Sequence, residues 1–156
     1  MKKIAFLRVT LGSAFLLAGA LAVFSADKKP SAAGTGVQIT KLDDRLRVEI
    51  DGKLFTEYHF KNGPRPYCYP IIGPGELPMT RNWPMKDQPD EDHDHPHPRS
   101  LWYAHGDMNG QDFWSESARA GKTVHEKFLE VSSGGKSGII HSQDKWIAKE
   151  DRKSVV

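Results

Sequence analysis

Cysteine is nearly absent: Cys68 is the single thiol among 156 residues, so an internal disulfide is excluded. Flanked by Tyr67 and Tyr69, it reads as a small buried apolar side chain. Beyond the N-terminal leader no apolar run reaches the length of about 20 residues that a membrane-spanning helix needs. Helical periodicity is missing over any useful window, and with it the crossover helices of a parallel α/β fold. A clustered basic surface is lacking too, which removes nucleic acid as an expected partner.

What is present begins with a leader. Met1-Lys2-Lys3 is a short basic region, residues 9–23 are largely apolar, and Val23 and Ser25 supply small residues for cleavage after Ser25. The expected organisation is a signal peptide over 1–25, a small polar linker over 26–36 and one domain over 37–156. Losing Lys2, Lys3 and Arg8 takes the formal charge from +2 to −1, so the basic character belongs to the leader. The body is expected to be exported, periplasmic or secreted, meeting a membrane only through the signal segment before cleavage.

From Val37 the pattern has period two. Leu46, Val48 and Ile50 alternate with Arg45, Arg47 and Glu49, the signature of a half-buried strand. Asp51-Gly52 follows, a dipeptide suited to the positive φ angles of a type I′ hairpin turn, and residues 53–60 return as the partner strand. A strand over 67–72 contains Pro70, which predicts an edge or a bulge. Residues 73–89 hold four prolines and two glycines and read as an ordered irregular loop pinned by Trp83. Further strands are expected over 99–105, 122–131 and 138–148. The final Lys153-Ser154-Val155-Val156 reads as the start of another, so the domain is expected to be incomplete at its C-terminus. Together these predict an all-β antiparallel sandwich.

The chemistry is concentrated between Asp92 and Glu116, which hold four of the seven histidines and two of the four tryptophans. His95 and His97 each precede a proline. If the chain is pleated there, His95, His97, Arg99, Tyr103 and His105 share one face; if it winds as polyproline II, the first two diverge. Asp107, in the turn ending at Asn109-Gly110, is placed to orient His105. In the leading reading His105, held by Asp107, transfers a proton, while His95, His97 and Arg99 position or charge-stabilise a sugar. Trp114 stacks on that sugar, and Tyr103, Asn109 and Glu116 complete its binding. The alternative is a zinc or copper site on His95, His97 and His105. A third reading is a non-catalytic interaction domain. Trp102 reads as core, and His59, His125 and His141 as structural.

Three runs carry a resemblance to a known family: Arg65-Pro66-Tyr67-Cys68-Tyr69-Pro70, then Pro78-Met79-Thr80-Arg81, then residues 94–114. They resemble the PmoA-like family of exported bacterial proteins, although that family usually has a histidine where Pro98 stands. The resemblance implies a sandwich of the galactose-mutarotase-like kind, a group that often handles carbohydrates. It also implies epimerase-, lyase- or hydrolase-like chemistry if the protein is an enzyme. Methane oxygenation is not implied, because the oxygenase subunit of that name spans the membrane several times.

Overall fold

A computed structural model describes residues 34–149 together with Ser154 and Val155. The expected signal peptide and nearly all of the expected linker lie outside the described residues. Two antiparallel sheets make up the fold. The first contains β1 (Val37–Lys41), β2 (Arg45–Ile50), β3 (Lys53–His59), β4 (Tyr67–Ile71) and β5 (Leu101–Trp102), in that spatial order. The second contains β6 (Lys122–Ser132), β7 (Ile139–Ile147) and β8 (Ser154–Val155). The all-β class expected from alternation is therefore observed. Among the described residues no helix is long and apolar enough to cross a membrane.

The β2–β3 hairpin shows how the alternation becomes structure. Asp51 and Gly52 both take positive φ, 50° and 77°, which closes the turn and pairs Ile50 with Lys53. Odd-numbered β2 residues then form a charge ladder: Arg47 faces Glu57 across the strands, and Glu57 also forms an ion pair with Arg45 at 3.1 Å. Leu46 and Val48 turn inward, whereas Ile50 beside the turn is exposed. Leu46 is completely buried, and Val48 and Phe60 are nearly so. Burying a leucine fully is worth about 1.5–3 kcal/mol.

The inward residues of β3 meet the second sheet. Phe60 packs on His125 and Phe128, with ring centroids 5.0 and 5.1 Å apart, and the Tyr58 hydroxyl lies 3.2 Å from Ser142 Oγ. At one margin β1 is tied to the β6–β7 turn by reciprocal amide bonds between Val37 and Gly134, 2.8 and 3.0 Å long. At another, the Thr123 amide donates to the Pro64 carbonyl at 2.9 Å. Pro70 marks an irregularity in the β3–β4 ladder, where Thr56 and Tyr58 are matched to Ile71 and Cys68. One extra residue is therefore accommodated on β4, as the proline predicts.

One expectation needs correction. The strand over 99–105 is only Leu101–Trp102, paired with Cys68 and Tyr67. Ser100 takes φ of 57°, which breaks the pleat between Arg99 and Leu101 and ends the period-two relation on which the histidine row relied. Trp83 does stack on His93, with centroids 3.9 Å apart, and so holds the loop over 73–89 against the histidine segment.

Phe113, 1% exposed, packs on Trp146 of β7 at 4.9 Å and fixes the segment after Asn109-Gly110 against the second sheet. It fits because Gly121 leaves room. A Cβ there would meet the Phe113 ring and the Ile147 carbonyl oxygen, the latter at 2.9 Å. Gly121→Ala is expected to cost about 1–3 kcal/mol, the usual cost of overpacking. Gly135→Ala, with nothing within 4 Å of the added carbon, should cost little. Urea unfolding of both variants beside the parent checks this.

Candidate functional site

Local structure first decides which of the expected site residues can meet. Asn109 and Gly110 take φ of 54° and 79° in a two-residue turn closed by Met108 and Gln111 amides at 2.9 and 3.1 Å. Asn109 thus has a backbone role at the exposed tip. The Asp107 carboxylate accepts the Gly110 amide at 2.8 Å and does not reach the His105 ring. The Asp107 amide instead donates to His105 Nδ1 at 3.2 Å, so the ring proton belongs on Nε2. The expected carboxylate–imidazole pair of Asp107 and His105 is therefore replaced by a backbone contact.

The three histidines of the metal reading are not gathered into one ligand set. His95 and His97 are neighbours, with centroids 5.6 Å apart at 76°. Among the described residues, no group of three His, Cys, Asp or Glu side chains is arranged to hold a metal ion. His105 is separated from the other two imidazoles by the break at Ser100. Tyr103 is also elsewhere, its ring set against Trp146 at 5.7 Å.

What the fold does assemble is a patch around two tryptophans. Trp102, placed by its pairing with Tyr67, meets Trp114 at 4.9 Å and 51°, and His97 approaches Trp114 at 6.1 Å and 60°. Beside them Arg99 donates through Nε and Nη2 to the two Glu116 oxygens, both at 3.0 Å. This fork-on-fork pair leaves further guanidinium N–H groups and carboxylate lone pairs unused by the pair itself. The Arg99 guanidinium also sits 5.8 Å from the centre of the Tyr67 ring, whose other partner is His59, stacked at 4.8 Å and 8°. His97, Arg99, Trp114 and Glu116 are thus brought together; Tyr103, His105, Asp107 and Asn109 are not. His95 reaches the patch only through His97.

Two residues outside the expected set hold the patch. Arg65, 3% exposed, donates to the Trp114 carbonyl at 2.7 Å and the Ser115 carbonyl at 3.1 Å. Its guanidinium lies 4.6 Å from the centre of the Trp102 ring. Burial pulls its pKa below the usual arginine range, opposed chiefly by Glu116. Its signal in the sequence is an arginine locked between Pro64 and Pro66, a poor place for a solvated side chain. Asp112 accepts the Trp114 amide at 2.7 Å, the Ser115 amide at 3.0 Å and the Ser115 hydroxyl. The hydroxyl bond is the largest influence holding this carboxyl below its ordinary value.

Farther out, Arg81 donates to Asp94 at 2.9 Å and to the Asp92 carbonyl. The Asp94 carboxylate also receives the His95 amide at 2.8 Å. Arg81 is the main cause of the lowered Asp94 pKa. Arg81 thus ties residues 92 and 94 to the loop over 73–89, and Trp102, expected in the core, is a half-buried wall of the patch.

Because the folded pKa of Asp112 is depressed, its contribution to stability is full above the unfolded value, near 4. It is lost as pH falls through the lower folded value. Tryptophan fluorescence of the patch should therefore change in an acid transition below about pH 4. Asp112→Asn should remove that component and lower stability at neutral pH.

No curated protein and no solved structure matches the chain. A family model does match residues 45–156, from the first residue of β2 onward, so the strands and segments that build the patch lie within the matched region. The chain belongs to the family of unknown function DUF6807.

Proposed function

We propose that this is an exported carbohydrate-binding protein whose sugar site is the Trp102–Trp114 patch. The observation that carries the reading is Trp114 itself. Its indole remains 46% exposed although its backbone is fixed from both sides, by Arg65 at the carbonyl and by Asp112 at the amide. A large ring held rigidly at the surface presents apolar area with little entropy left to lose on binding. The C–H face of a pyranose is the matching surface. Around the ring, His97 and the Arg99–Glu116 fork supply donors and acceptors for hydroxyl groups, and bidentate geometry gives directional selectivity.

The site favours binding over turnover. Both Glu116 oxygens already accept from Arg99, so the carboxylate is engaged as a bidentate acceptor. His105, the expected acid–base group, has Nδ1 engaged by the Asp107 amide and is not joined to the patch by any hydrogen bond or ring contact among the described residues. The resemblance to PmoA-like proteins supports both export and a carbohydrate ligand, and the leader over 1–25 supports export independently.

Calorimetric titration of the mature protein with neutral mono- and oligosaccharides tests the proposal. Trp114→Ala should weaken binding at least about tenfold, which corresponds to ~1.4 kcal/mol. Glu116→Gln should weaken it less, by loosening Arg99. No saccharide binding by the parent, or unchanged affinity after Trp114→Ala, would sink the idea. Intact mass after secretion should show loss of residues 1–25.

A further inference from the structure

A second opening lies between the two sheets and shares Tyr67 and Trp102 with the patch. It is a cleft of about 410 Å³, walled by Tyr67 and Trp102 of the first sheet, by Tyr103, and by Asp144 and Trp146 of β7. Asp144 and Trp146, two residues apart, project from the same face of β7. Tyr103 stands across the Trp146 ring at 75°, so two rings form adjoining sides of a box. Tyr103 is 73% exposed and forms the rim.

Among the described residues Asp144 is the one charged side chain lining this cleft, with no lysine, arginine or histidine beside it in the lining. Its own partners are His125 and Ser142. Oδ1 lies 3.2 Å from His125 Nδ1, and Oδ2 accepts from Ser142 Oγ at 3.3 Å, long for a hydroxyl donor. The carboxylate sits between Ser142 and His125, so the imidazole does not touch the serine and this is not a nucleophile–base arrangement. Burial pushes the Tyr58 phenol up to about 12 and raises Cys68 as well, so neither adds a negative charge at neutral pH. This half-buried carboxylate, bonded to His125 and Ser142 through one contact at each oxygen, keeps acceptor capacity for a further donor or cation in a cleft with aromatic walls.

We propose that the cleft binds a small organic cation, an alkylammonium or quaternary ammonium group. Asp144 is its counter-ion, and Tyr103 and Trp146 are its aromatic cage. Ring faces attract such cations, and the attraction grows as the site is desolvated. Arg65 already lies against Trp102 and Arg99 near Tyr67, so those two rings serve as apolar wall. This site does not depend on the sugar reading, because no residue of the Arg99–Glu116 fork lines it.

The test titrates the full mature chain with choline and with n-butylamine, against 3,3-dimethylbutan-1-ol as the neutral isostere of choline. At least one cation should bind saturably, at least tenfold tighter than the alcohol. Asp144→Asn should reduce cation affinity at least tenfold. Tyr103→Ala, at an exposed rim position that the fold does not need, should reduce it severalfold with an unchanged unfolding midpoint. Binding of the alcohol as tight as choline would reveal a merely apolar cleft and overturn the proposal. So would the failure of both cations to bind, or a Tyr103→Ala protein that binds as the parent does.

Discussion

The buried guanidinium of Arg65 is the constraint from which the patch follows. It leaves the first sheet just before β4, beside the Pro64 carbonyl that accepts from Thr123 of the second sheet. From there it reaches the carbonyls of Trp114 and Ser115. An arginine cannot shed its proton to escape burial, so the charge must be met by oriented dipoles and ring faces. Two carbonyls and the Trp102 indole do this. Removing the guanidinium would leave those carbonyls without their donor and Trp102 without one neighbour. The positions of β4, of the loop after Asn109-Gly110 and of both tryptophans are coupled through this one group.

The hairpin from Arg45 to His59 was readable because its determinants are local. Alternation assigns the faces, Asp51-Gly52 assigns the turn, and both can be seen within fifteen residues. The same holds for β6, β7 and the turn at Asn109-Gly110. The segment from Asp92 to His105 was not readable in that way. A single positive φ at Ser100 breaks the pleat between Arg99 and Leu101, and nothing in the composition announces it.

The site divides along the same line. His97, Arg99, Trp114 and Glu116 were recognisable by residue type, and the fold brings them together. Their supports were hidden because each acts over a distance in sequence: Arg65 reaches forward about fifty positions, and Tyr67 meets Trp102 only through strand pairing. Asp107 shows the opposite error. A carboxylate two residues from an imidazole is a natural partner for it, yet the tight turn claims the carboxylate first, because the Gly110 amide needs an acceptor. Short-range turn chemistry outcompeted the proposed dyad.

The short length of β5 has its own consequence. It pairs with Tyr67 and Cys68 only; the far end of the β4 margin is met by the Met79 amide, which donates to the Ile71 carbonyl at 2.9 Å, and the stretch between carries no neighbouring strand among the described residues. An open margin is where a foreign chain adds by backbone pairing and where aggregates grow. Here Pro70 sits in that stretch and offers no N–H, and the extra residue on β4 disturbs the spacing that an incoming strand would need. The irregularity that first reads as a weakness in the ladder thus protects the molecule against self-association along this border.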